Sequence, residues 1–124
     1  MRDAGWREPF ERALDDRPND QAARRDLADH LEERGDPDAE AVRWLANRGQ
    51  HPLFRDLASA WLWASEDSAL RLGRLPPALW TRLQADESIS YRGCKEYATR
   101  RAAEADFCRA FHAAKAAGWD PTAD

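Results

Sequence analysis

The stretch LADHLEERGDPDAEAVRWL, from Leu27 to Leu45, predicts how the first part of the chain folds. Gly35 is the residue type that most readily adopts the left-handed conformation closing a helix. Asp36 can then accept hydrogen bonds from the amides of a following helix, and Pro37 fits the first helical position because its missing N–H is not needed there. The stretch therefore predicts two helices separated by a tight turn.

Helical spacing of apolar residues extends this pattern towards the amino terminus. Pro9 suits the first turn of an initial helix, and Asn19 or Asp20 can cap the second helix. Charged residues between the apolar positions, Arg24 among them, are predicted to face water. The positions predicted to face inward in the first three helices are Phe10, Ala13, Leu14, Ala23, Leu27, Leu31, Val42, Leu45 and Ala46.

The region 52–64 is apolar nearly all round, and we predict a fourth helix there, although Leu62 and Trp63 lie outside its apolar stripe. From 65 to 77 the pattern weakens, and the sequence leaves open whether this helix continues or a new turn begins.

The remaining pattern predicts two more helices. Pro77 begins a short one, and the last runs from about Thr99 to Ala117, ended by Gly118 with Trp119 placed to fold back on its final turn. The inward positions of the last helix are predicted to be Ala103, Phe107, Ala110, Phe111 and Ala114.

We therefore predict a mainly α fold, a compact bundle of about six short helices. Alternating apolar residues leave open one short extended segment near 88–92. We expect a single helical domain over 1–124, with a first helical unit at 10–48 and the remaining helices at 52–124.

Composition points to a soluble protein: 43% of residues are apolar, 34% are charged, and the mean hydropathy is -0.84. No window suits a membrane span, and the start lacks the apolar core of a secretion signal. The two cysteines, Cys94 and Cys108, form neither a CxxC pair nor a dense framework, so we expect reduced thiols and a cytoplasmic location.

The formal charge of -4 argues against nucleic acid as the main partner, because affinity for phosphate needs a concentrated cationic face. The acidic excess lies in residues 1–62, whereas residues 63–124 are balanced. Within that second half, a weakly basic face near Tyr91 and Tyr97 is the alternative site, for RNA or a single strand. Its residues are Arg92, Lys95, Arg100, Arg101 and Arg109.

Residues 10–45 resemble the repeat-companion domain, a short bacterial module. The run Leu27–Pro37, LADHLEERGDP, matches the family's characteristic run of residues, and Glu40 and Arg43 are also family-like. The chain departs from the family where Leu27 replaces an aromatic residue and His30 replaces a tryptophan. The resemblance covers about a third of the chain and implies a docking or accessory role, since no activity is established for the family.

The helix, glycine turn and helix also have the outline of a DNA-binding helix-turn-helix. Here the second helix would begin with Asp36, Asp38 and Glu40, whose charges repel the phosphates. We therefore do not expect this element to read DNA.

An enzymatic function would depend on residues that are scattered along the sequence. Glu104, Cys108 and His112 share one helical edge, and with Cys94 they could hold zinc in a small metal-dependent enzyme, our second alternative. Cysteine and histidine beside an apolar stripe are more often packing residues. We therefore expect no catalytic residue, no metal and no cofactor.

Six tryptophans in so short a chain are an unusual number. We expect Trp61 and Trp80 in the core, because they lie on the apolar stripes of predicted helices. Trp63, Leu62 and Trp44 lie off these stripes and are less easily placed in the core. Tryptophan is enriched at interface hot spots, so these three are the predicted partner-binding patch. Additional burial inside the protein is the competing explanation for them. The leading functional prediction is a non-catalytic helical module, an adaptor or accessory subunit with a protein partner and no membrane contact.

Overall fold

The computed structural model describes residues 4–48, 53–55, 61–65, 75–84, 89–90 and 94–122. Over these ranges the protein is mainly helical, as predicted, with five α-helices and a four-stranded antiparallel sheet. The chain divides into two compact units, Met1–His51 and Pro52–Asp124. Across the described ranges, no helix has both the length and the apolar character needed to cross a membrane.

The first unit consists of three helices that follow a short 3₁₀ turn, Ala4–Arg7. They are α1, Glu8–Asp16; α2, Gln21–Glu33; and α3, Asp38–Ala46. The Asp20 carboxylate accepts a hydrogen bond from the Ala23 N–H at 3.1 Å, which caps α2 as predicted. The core of this unit is formed by the buried residues Leu14, Leu27, Ala28, Leu31, Ala41, Val42, Leu45 and Ala46.

The turn between α2 and α3 has the predicted chemistry. Gly35 has a φ of 71°, and its N–H donates to the Glu32 carbonyl at 3.0 Å. The Asp36 N–H donates to the Leu31 carbonyl at 3.0 Å, which completes a Schellman motif. The Asp36 side chain then accepts from the Asp38 N–H at 2.8 Å. Asp36 therefore closes one helix with its backbone and opens the next with its carboxylate.

The second unit combines a sheet with two helices. Its strands are β1, Leu53–Arg55; β2, Trp61–Ala64; β3, Ile89–Ser90; and β4, Cys94–Tyr97, in the order β1-β2-β4-β3 with all neighbours antiparallel. Its helices are α4, Pro77–Leu83, and α5, Arg100–Ala116. The extended segment considered near 88–92 is confirmed by β3.

The predicted helix over 52–64 is wrong, because its described residues form β1 and β2. Strand β2 lies between β1 and β4, and its register pairs Trp63 with Leu53 on one side and Lys95 on the other. Trp63 and Ala64 point to opposite faces of the strand, yet both are buried. A strand that is covered on both faces has a continuous run of apolar residues in its sequence. Periodicity alone does not distinguish such a run from the sequence of a buried helix.

Helix α5 agrees with its prediction. Thr99 caps it by accepting from the Ala102 N–H at 3.0 Å. At its end Gly118 has a φ of 107°, and the Trp119 N–H donates to the Ala114 carbonyl at 2.9 Å. The Trp119 ring packs edge-on against Phe111, with the ring centroids 5.4 Å apart. All five predicted inward positions, Ala103, Phe107, Ala110, Phe111 and Ala114, are buried.

Candidate functional site

The predicted partner-binding patch is not formed, because its central residue is internal. Trp63 is 0% exposed. Its indole Nε1–H donates to the Ala103 carbonyl at 2.9 Å, and its ring centroid lies 5.3 Å from that of Phe107. The prediction that Trp63 lies at the surface is therefore wrong: the strand that carries it packs beneath α5.

The other two residues of that patch belong to different units. Leu62 is partly exposed in β2 of the second unit, and Trp44 is partly exposed in α3 of the first. The Arg48 guanidinium lies over the Trp44 ring, 4.3 Å from its centroid. Trp61 and Trp80, which we expected in the core, are instead partly exposed.

The predicted basic face is also wrong, because two of its charges are internal. Lys95 and Arg100 are each 1% exposed, and Arg100 forms an ion pair with Glu104 at 2.9 Å. Arg109 is half-exposed but donates to Asp106. Arg101 is partly exposed, and Arg92 lies outside the described residues. The four of these side chains that the structure describes do not form a solvent-exposed cationic surface of the kind that binds phosphates.

Asp106 is instead the centre of a partly buried polar cluster. The Lys95 ammonium donates to its carboxylate at 2.8 Å and to the Leu83 carbonyl at 2.7 Å. The Tyr97 hydroxyl and the Arg109 guanidinium also donate to this carboxylate. Burial acts to raise the pKa of Asp106, but the three donors outweigh it, so its pKa lies below the ordinary value. The cluster attaches β4 and α4 to α5.

The surface of the first unit carries a group of rings that the sequence did not single out. Trp6 and Phe10 lie with their ring centroids 6.2 Å apart, and the His30 ring lies 5.0 Å from Phe10 and 6.0 Å from Trp6. All three residues are partly exposed, and the His30 side chain is 46% exposed. The Arg34 guanidinium stacks over Trp6, 4.1 Å from the ring centroid. We call these four residues the aromatic–arginine face.

The spacing of the four residues along the sequence explains how they are positioned. Trp6 and Phe10 are four residues apart along the 3₁₀ turn and α1, and His30 and Arg34 are four apart at the end of α2. Residues at this spacing lie on one side of a helix. Because α1 and α2 pack against each other, the two pairs meet at the same end of the helical hairpin.

A concavity of about 450 Å³ lies at the turn that follows Arg34. It is lined by Glu32, Gly35, Asp36, Pro37, Ala39, Glu40 and Arg43, and we call it the turn concavity. Arg43 donates to Asp29 at 2.9 Å and also bonds Glu32. The hydrogen bond to Asp29, aided by the charges of both carboxylates, raises the pKa of Arg43 above its ordinary value although partial desolvation opposes it. Arg43 is therefore already neutralised by its own chain.

No protein-family model, curated protein or solved structure matches this chain. The two surface features must therefore be interpreted from their own geometry.

Within the described ranges, no group of three or more His, Cys, Asp or Glu side chains is arranged to hold a metal ion. Glu104, which the sequence placed on the candidate zinc edge, forms its ion pair with Arg100. Cys94 and Cys108 are both buried, and neither forms a disulfide.

Sequence reasoning missed the aromatic–arginine face although a signal existed. Trp6 lies four residues before Phe10, which the spacing predicted to face inward but which is partly exposed, and a histidine and an arginine repeat that spacing at the end of the second helix. Each pair by itself is unremarkable. Only the antiparallel packing of the two helices brings them together.

Proposed function

We propose that this chain is a non-catalytic helical interaction module, an adaptor or accessory subunit, that binds a protein partner through the aromatic–arginine face. The observation that carries the proposal is the convergence of three partly exposed rings, Trp6, Phe10 and His30. Tryptophan and arginine are the side chains most enriched among residues that dominate binding energy. Large rigid rings offer apolar contact area at a small cost in conformational entropy.

Packing within the face favours a preformed binding surface. Arg34 stacks on Trp6, and the His30 ring lies close to the rings of both Trp6 and Phe10. Rings that are already held by their neighbours lose less freedom when a partner binds. The surface is therefore suited to take up an apolar side chain of a partner without rearrangement.

The proposal also includes the family and the location. The run Leu27–Pro37, which resembles the repeat-companion domain, contains two residues of the aromatic–arginine face, His30 and Arg34. We assign the chain to that bacterial family and to the cytoplasm. Two buried cysteines that form no disulfide support a reducing compartment.

The test selects ligands on the intact chain and then removes the face. Random peptides displayed on phage are selected on the immobilised protein, and the affinities of the selected peptides are measured by fluorescence anisotropy. We expect Trp6→Ala and Phe10→Ala each to weaken binding by about 30-fold, the effect of losing a hot-spot residue.

Trp44→Ala is the matched control, because Trp44 is also a partly exposed tryptophan stacked with an arginine. It should leave the selected affinities within about twofold, the range of a contact outside the hot spot. Circular dichroism checks that each variant keeps its helical content. If the selected peptides bind Trp6→Ala and Phe10→Ala as tightly as the original chain, the proposal is wrong.

A further inference from the structure

The first unit has an acidic excess that bears on the choice of partner. Residues 1–51 contain 13 Asp and Glu against 9 Arg, and no Lys. Residues 26–43 alone contain seven of these carboxylates and only two arginines, Arg34 and Arg43. The end of α2 and the start of α3 therefore form the most acidic part of the unit.

Both arginines of this part are already engaged. Arg34 lies over the Trp6 ring, and Arg43 is bound by Asp29 and Glu32. The neighbouring residues Glu33 and Glu40 are exposed. Seven Asp and Glu against two Arg give residues 26–43 a clear excess of negative charge, which creates a potential that attracts cations and repels phosphates.

The acidic surface adjoins the aromatic–arginine face directly. Arg34 belongs to that face, and the next residue, Gly35, lines the turn concavity. The concavity has small or rigid side chains at Gly35, Pro37 and Ala39, with the acidic Glu32 and Glu40 among its other lining residues. Its volume of about 450 Å³ has room for a long side chain.

We propose that the partner of the aromatic–arginine face is a basic segment of another protein. An apolar side chain of this segment packs on Trp6, Phe10 and His30, while a lysine or arginine enters the turn concavity beside Glu40. This inference depends on the proposed function, because it specifies the chemistry of the ligand for the same face. The charge disfavours a second copy of the acidic unit and also disfavours nucleic acid, since both would bring further negative charge to this surface.

The experiment measures how affinity depends on peptide charge. An array of synthetic peptides keeps one leucine and tryptophan pattern fixed and varies the net charge in steps from acidic to basic with Glu, Gln and Lys. The whole chain is titrated on the array, together with Trp6→Ala, Phe10→Ala, Glu40→Gln and Asp16→Asn. Asp16→Asn is the charge control, because it removes one exposed carboxylate at the opposite end of α1.

We expect affinity to rise at least tenfold from the most acidic to the most basic peptide, and to fall as salt is raised from about 50 to about 300 mM. Glu40→Gln should weaken binding of the basic peptides about threefold, as expected for a rim ion pair, and Asp16→Asn by clearly less. Trp6→Ala and Phe10→Ala should weaken binding at every charge. Circular dichroism of each variant separates a lost contact from a lost fold.

Each other outcome contradicts a defined part of the argument. Binding that depends on Trp6 and Phe10 but is flat with charge, or favours acidic peptides, overturns the basic partner and leaves the proposed function standing. If affinity rises with peptide charge but is unchanged by Trp6→Ala and Phe10→Ala, the peptides bind through the acidic charge alone, and both proposals are overturned. Absence of binding to every peptide also counts against both.

Discussion

The indole N–H of Trp63 donates to the backbone carbonyl of Ala103 at 2.9 Å, which joins the central strand of the sheet to α5. Both residues are 0% exposed. The contact accounts for the absence of Trp63 from the surface: its ring fills the space beneath Phe107, and its one polar group finds an acceptor there.

Replacing Trp63 should therefore destabilise the fold. We expect Trp63→Ala to lower the free energy of unfolding by about 3–5 kcal/mol, because it leaves a cavity, and Trp63→Phe by about 1–3 kcal/mol, because it mainly removes the hydrogen bond. Urea denaturation followed by circular dichroism measures both losses. Leu62→Ala, at the partly exposed position just before Trp63 in the strand, should cost less than Trp63→Ala; equal costs would contradict the assigned burial.

Asp106 should make stability depend on pH. Its pKa is lower in the folded protein than its usual value of 3.8, because the hydrogen bonds from Arg109, Lys95 and Tyr97 outweigh the effect of burial. A carboxyl group with a depressed folded pKa stabilises the fold at pH values above its unfolded pKa, and this contribution disappears as the pH falls through the folded pKa. Stability from this group is therefore complete near neutral pH and is lost in strongly acidic solution.

Asp106→Asn tests this role, because it removes the Asp106 carboxylate from the buried Lys95 ammonium. We expect a loss of about 3–5 kcal/mol at neutral pH, typical of breaking a buried pair. The difference between the original chain and the variant should shrink below about pH 4, where this carboxyl group begins to bind its proton in the unfolded chain, and should be smallest below its folded pKa. Guanidinium chloride unfolding curves at several pH values give this difference. A difference that stays constant from neutral to acidic pH would exclude the proposed linkage.

Gly35 should tolerate asparagine better than alanine. Its φ of 71° is left-handed, and an added Cβ would meet nothing within 4 Å. The cost of Gly35→Ala is therefore backbone strain rather than a clash, about 1–2 kcal/mol. Gly35→Asn should cost less, because asparagine visits this conformation more readily. Thermal unfolding of the two variants measures the order, and the reverse order would show that strain does not decide this position.

Arg24 should matter more than its neighbour Arg25. Arg24 is 0% exposed, and its guanidinium donates to the Pro18 carbonyl at 2.7 Å and to the Gln21 side-chain oxygen at 2.8 Å. Both hydrogen bonds come from Nη1, and lysine keeps the charge but has a shorter side chain of different shape, so Arg24→Lys should cost about 1–3 kcal/mol. Arg25→Lys, at an exposed site, should change stability by less than about 0.5 kcal/mol. Urea midpoints that shift equally for both substitutions would contradict the buried role of Arg24.

The sequence predicted most helix boundaries of the described residues, because the chemistry that starts and stops a helix is local. Asp20 caps α2 by bonding an amide three residues away, and Gly35 and Gly118 close their helices through bonds that span at most five residues. Local sequence information gave the wrong prediction, a helix, at β2. There a short apolar run fits either a buried helix or a strand covered on both faces, and only the pairing with β1 and β4 decides between them.

Placement of the charged and aromatic side chains required the tertiary structure. The sequence predicted that three charged residues, Arg24, Lys95 and Arg100, face water. Each of them is buried, and the fold supplies each with a carbonyl or carboxylate partner. The sequence predicted that Trp63 lies at the surface, but Trp63 is buried. Trp6, which the sequence did not single out, belongs to the candidate docking face. The excess of tryptophan therefore did not show which of the tryptophans lie at the surface.

The sequence by itself determined the mainly helical class, the caps and the tight turn at Gly35, since these depend on bonds between residues close along the chain. Only the tertiary structure decided that Trp63 and Lys95 are internal and that Trp6, Phe10, His30 and Arg34 share one surface. The physical reason is that burial requires a partner, and the partner of Trp63, the Ala103 carbonyl, lies 40 residues away. Composition and periodicity carry no information about contacts over that separation.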